Sequence, residues 1–110
     1  MAYAVQVRTE FERPGVDQSI EPAWWNYKEL LGDLNFSRKR IYGSTNYMCE
    51  LNKETFIDVF LDQMKYLDKG VYALGDWKKV NANTMNKLSR FIEGLGELDK
   101  VELIIYEWES

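Results

Sequence analysis

The chain has no histidine, one cysteine and two prolines in 110 residues, and no apolar run long enough to cross a bilayer. Without histidine it lacks the usual general base of hydrolases and transferases and the commonest metal ligand. The lone thiol, Cys49, excludes a disulfide within the chain. A catalytic thiol needs a base or a cationic neighbour to lower its pKa, whereas Cys49 stands between Met48 and Glu50. It reads as a packed structural cysteine. Carboxylate, lysine and tyrosine chemistry survive these absences, but no phosphate loop, zinc cluster or calcium loop accompanies them. Gly94-Leu95-Gly96 lacks the third glycine of a dinucleotide fingerprint and closes a helix instead of following a strand. The expectation is therefore a protein that is not an enzyme and carries no cofactor or metal.

What is present is an aromatic-rich, acidic composition. There are four tryptophans, seven tyrosines and five phenylalanines, hydrophobic residues make up 45%, charged residues 29%, and the net charge is -4. These proportions are those of a globular domain rather than a disordered chain, and the length fits one domain over residues 1–110. The start of the chain alternates like a strand and lacks the basic-then-apolar pattern of a secretory leader. Asn35-Phe36-Ser37 matches a glycosylation sequon, a triplet that chance also produces. With one free cysteine, a reducing cytoplasm is the expected location. The negative charge disfavours nucleic acid and anionic membranes and favours a basic partner.

Periodicity outlines the elements. From Ala2 to Glu12 apolar and polar residues alternate, as in a strand with one buried face. Pro14-Gly15 breaks that pattern. Pro22 suits a first helical position, and Trp24, Tyr27, Leu31 and Leu34 predict a helix over 22–34. Arg38 to Leu51 reads as a hairpin turning at Gly43-Ser44-Thr45-Asn46. Asn52 caps a second helix with the stripe Phe56, Ile57, Phe60, Leu61, Met64 and Leu67, and Gly70 permits its exit. The stretch 71–80 fits a strand, a helical turn or a loop. A third helix starts at a cap, Asn81 or Asn83, and carries Met85, Leu88, Ile92 and Leu95. Val101 to Trp108 reads as a strand with Val101, Leu103 and Ile105 on one face and Ile104, Tyr106 and Trp108 on the other. Apolar groups on both faces place it centrally or against a partner. The expected fold is α+β: a mainly antiparallel sheet of about four strands with two to three helices packed on it. The plan is ferredoxin-like (split βαβ) with an extra helix.

Two features point to contact. Glu54, Asp58 and Asp62 recur every four residues, which forms an acidic stripe on the second helix. A solvated face relieved by Lys65 and Lys69 is the plain alternative. Trp24 and Trp25, if helical, point about 100° apart, so one of them should approach the surface. Trp25, Trp77 and Trp108 are the candidate exposed anchors, because tryptophan dominates interface hot spots. The one basic run, Arg38-Lys39-Arg40, is flanked by Phe36 and Tyr42 but lacks the glycine-aromatic pattern of an RNA-recognition motif. The expected function is an acidic protein-binding module of inhibitor, antagonist or immunity type, which blocks a basic surface through Glu54, Asp58, Asp62, Trp25, Trp77 and Trp108. A homo-oligomeric assembly subunit, or a carboxylate-based enzyme or small-ligand binder, is the alternative.

Overall fold

The computed structural model describes residues 2–9, 19–69 and 77–108. Among these residues five antiparallel strands form one sheet in the order β2-β1-β5-β4-β3. They are β1 (Ala2–Arg8), β2 (Ser19–Ile20), β3 (Ser37–Ile41), β4 (Ser44–Asn52) and β5 (Lys100–Trp108). Three α-helices accompany them: α1 (Tyr27–Asp33), α2 (Lys53–Gln63), which runs on into a 3-10 segment at Met64–Lys69, and α3 (Trp77–Gly94). The Pro14-Gly15 break, the Gly70 exit and residues 71–76 lie outside the described residues.

β5 is the middle strand, paired with β1 along Ala2 to Arg8 and with β4 along Ser44 to Asn52. Its alternation places Val101, Leu103 and Ile105 in the core, beside Val5 and Val7 of β1 and Cys49 and Leu51 of β4. The helices close that face with Leu30, Phe56, Phe60, Leu88 and Phe91, joined by Leu95 just after α3. Trp25, Phe56 and Phe91 form its aromatic centre, with ring centroids 6.2 Å and 5.7 Å apart in succession. On the opposite face Ile104 lies between Gln6 and Met48 in the sheet register and is buried. Next to it the Tyr106 hydroxyl donates to Gln6 Oε1 at 2.9 Å, and Arg8 pairs with Glu102 at 2.6 Å.

The sheet has five strands where about four were expected, because β2 adds a two-residue edge beside β1. The ferredoxin-like plan also fails. A split βαβ unit joins parallel strands with one strand between them. Here the α2–α3 excursion joins β4 to its own antiparallel neighbour β5, and α1 carries the chain from one edge strand, β2, to the other, β3. Periodicity identifies strands but says little about which neighbour each takes.

Local chemistry explains the shifted helix starts. Pro22 belongs to a turn in which the Trp25 N–H donates to the Pro22 carbonyl at 3.2 Å. α1 begins only after Asn26, whose side chain caps it by accepting from the Glu29 N–H at 3.1 Å. Trp24 and Trp25 therefore precede the helix, the 100° spacing does not apply, and both rings are buried. Their indole N–H groups have no acceptor among the described residues, a cost that burial of two large rings outweighs. α3 starts at Trp77, ahead of either proposed cap. Asn52 caps α2 as expected, accepting from the Thr55 N–H at 2.8 Å.

The β3–β4 hairpin turns at Tyr42-Gly43, not at 43–46. Both residues have positive φ, 42° and 79°, the pattern of a two-residue type I′ turn. Glycine adopts this freely, whereas tyrosine there costs about 1 kcal/mol. Arg38, Lys39 and Arg40 are exposed along β3, and cations on an edge strand discourage edge-to-edge pairing.

Candidate protein-binding surface

Because α2 buries Phe56, Phe60 and Gln63, its opposite face is turned to solvent. Glu54, Asp58 and Asp62 are all exposed there, and Leu61, which the periodicity assigned to the apolar stripe, is exposed with them. The inner spacing of four and then three residues makes Gln63 the buried position and rotates Leu61 outward. Glu54 and Asp58 have no ion-pair partner among the described residues; Asp62 meets Lys65 at 3.3 Å. Lys69, the other expected relief, has its side chain outside the described residues.

Beside the first turns of α2 lies a groove of about 550 Å³ lined by Asn52, Lys53, Glu54, Ile57, Glu97 and Leu98. Its far wall is the loop between α3 and β5, which Asp99 folds back by accepting from the Gly96 N–H at 2.7 Å. Lys53 anchors that loop to α2 by donating to the Leu95 carbonyl at 3.0 Å. The turn buries Asp99 and leaves Leu98 91% exposed. A fixed apolar residue thus stands in a groove that Glu54, Glu97 and Lys53 also line.

The tryptophan anchors separate. Trp25 is 1% exposed and is a core residue, so the expectation of a surface anchor does not hold for it. Trp77 opens α3, and its side chain lies outside the described residues. Trp108 is 40% exposed, but it ends β5, eight residues beyond Lys100, which pairs with Asn52. At about 3.4 Å per residue it stands about 27 Å from the α2 cap, so the structure does not bring it to the acidic stripe. Leu98, Glu97 and Leu61 are the residues that sequence reasoning missed. Only the Gly94-Leu95-Gly96 helix stop hinted that an apolar residue just after it would sit in a turn.

A second cluster links α1 to the end of α2. In a capping box the glutamate three residues after the cap reaches back to the cap N–H. Here Gln63 takes that donor instead, accepting from the Asn26 N–H at 2.8 Å and donating to Glu29 Oε1 at 3.2 Å. Glu29 then accepts from the Tyr66 hydroxyl and pairs with Lys65 at 2.9 Å. The Tyr66 and Lys65 hydrogen bonds hold the Glu29 carboxyl down at about 2, and the bond to Glu29 keeps Lys65 above its ordinary range. Carboxylate oxygens of Glu29, Asp33 and Asp62 lie within 4.8 Å of one another, and the Lys65 ammonium already supplies positive charge to two of them.

This network fixes a pH dependence. A carboxyl whose folded pKa lies below its unfolded value stabilises the protein fully above the unfolded pKa, and loses that contribution as pH falls through the folded one. For Glu29 the window runs from about 4.5 down to about 2. Glu29→Gln should be less stable than the parent at neutral pH and show a shallower loss across that window. Urea midpoints measured from pH 7 to pH 2 check this, and parallel curves would contradict it.

Cys49 faces the core from β4, and burial pushes its thiol pKa up. Cys49 should therefore be inert to a thiol reagent in the folded protein and react on unfolding, and Cys49→Ser should preserve binding. Rapid labelling of native protein would contradict the assignment. Comparison with protein-family models, curated proteins and solved structures yields no match to the chain.

Proposed function

We propose that this protein is a small, non-catalytic binding module of inhibitor or immunity type, which covers a basic surface on a partner protein with the outer face of α2. The observation that carries this reading is the pair Glu54 and Asp58, exposed without ion-pair partners among the described residues, beside Leu61 and the Leu98 groove. Acidic groups around exposed leucines suit a cationic surface with apolar patches: the charges steer association, and desolvation of the leucines holds the complex. A non-catalytic role is supported by a thiol that is buried and raised in pKa, and by a carboxylate cluster whose charge Lys65 offsets. The free cysteine fits a reducing cytoplasm. No helix among the described residues is long and apolar enough to cross a membrane.

The test is capture of host proteins on the immobilised domain and on the triple variant Glu54→Gln, Asp58→Asn, Asp62→Asn. A species retained by the parent, released as salt rises and lost from the variant supports the reading. Equal retention by both removes the stripe from the interface.

A further inference from the structure

Besides Leu61 on α2, the exposed large apolar side chains among the described residues lie toward the two ends of the central strands. At one end are Tyr42, fully exposed at the hairpin tip, and Trp108, whose register partner Ser44 is the first residue of β4. The cations Arg38, Lys39 and Arg40 lie next to this tip on β3, exposed and without ion-pair partners among the described residues. At the other end, about 27 Å away along β5, is the Leu98 groove with Glu54 and Glu97 in its lining. One end is an aromatic knob beside positive charge, and the other is a groove in which Ile57 and Leu98 stand among Glu54, Glu97 and Lys53, whose ammonium is taken by the Leu95 carbonyl.

The type I′ turn explains the backbone at Tyr42 but not the choice of tyrosine there. Tyr42 occupies a left-handed conformation that asparagine or glycine adopts more readily, and its ring is fully exposed. The turn accounts for the positive φ, so what contact would explain is a fully exposed aromatic ring kept where a smaller residue fits the turn better. The recess is held in advance, because Asp99 and Lys53 fix the wall that presents Leu98, which reduces the ordering cost of binding. Its volume, about 550 Å³ with Ile57 and Leu98 in the lining, leaves room for an aromatic ring.

We propose that these two ends are complementary and that copies of this chain associate head to tail, the Tyr42 tip of one entering the Leu98 groove of the next. Arg40 and Lys39 then face Glu54 and Glu97 across the junction. Such a contact joins two different surfaces, so it builds a ring if the rotation closes and a filament if it does not. The proposal goes beyond the binding role of α2 and shares Glu54 and the Leu98 groove with it.

Sedimentation analysis across a concentration series tests it, using variants that leave the acidic stripe intact. Wild-type mass should rise with concentration, and less steeply as salt screens the junction. Tyr42→Asn removes the knob while suiting the turn, so its melting temperature should hold or rise while the protein stays monomeric. Glu97→Lys with Leu98→Ser should also remain monomeric, with the fold unchanged. An equimolar mixture of the two variants retains one sound knob and one sound groove, and should form dimers that grow no further. The proposal is overturned if wild type is monomeric up to about 1 mM, the weak limit of useful affinity, if either variant assembles like wild type, or if the mixture stays monomeric. Binding of a single-stranded oligonucleotide by monomeric wild type, lost in Tyr42→Asn, would instead assign the hairpin to nucleic acid.

Discussion

Phe56→Ala should lower stability by about 3–5 kcal/mol, the range for deleting a buried phenylalanine ring. Phe56 is fully buried, and its ring lies between Trp25 and Phe91. Neither neighbour can collapse into the space without leaving its own contacts. Domains of this size are stable by about 5–15 kcal/mol in total, so the variant should melt at least about 12 °C lower. The urea slope should stay constant, since the same surface is exposed on unfolding. Phe56→Leu should recover much of the loss. A change below about 1 kcal/mol would contradict the placement of this ring at the centre of the core. The same substitution bears on function, because Phe56 sits between Glu54 and Asp58 in sequence and on the opposite side of α2. Its packing is what turns those carboxylates outward.

The elements that were legible from the sequence are those decided by local pattern. Alternation identified β1 and β5 and assigned Val101, Leu103 and Ile105 to the core face. Asn52 marked the α2 start, because its side chain meets a backbone donor three residues away. The departures arise where distant residues decide. The Trp24-Trp25 pair reads as helical until Asn26 takes the cap and Gln63, 37 residues on, takes the donor that would otherwise complete a capping box. Leu61 fits an apolar stripe until Phe56, Phe60 and Gln63 set the rotation of the helix. The sheet order depends on long-range pairing that no local period encodes. For the binding surface, the acidic spacing on α2 was readable because four-residue repeats share a helix face. The groove was not, since its two walls come from residues about 40 apart and meet only through the α3–β5 turn.

Neutralising the stripe with Glu54→Gln, Asp58→Asn and Asp62→Asn should slow association with a cationic partner by about tenfold at low salt. Long-range steering depends on the summed charge of the face, and the three substitutions take the net charge from -4 toward neutrality. Dissociation should change less, because the leucines and the groove remain. Stability should stay within about 0.5 kcal/mol of the parent. Relief of like-charge repulsion along α2 offsets loss of the exposed Asp62–Lys65 contact, and such surface pairs contribute little.

The most direct measurement is the association rate of parent and triple variant with the captured partner, followed across a salt series. The parent rate should fall steeply as ionic strength rises, and the variant rate should start about tenfold lower and stay nearly flat, so that the two converge where screening is complete. Superimposable curves would show that the acidic face of α2 is only a solvated surface.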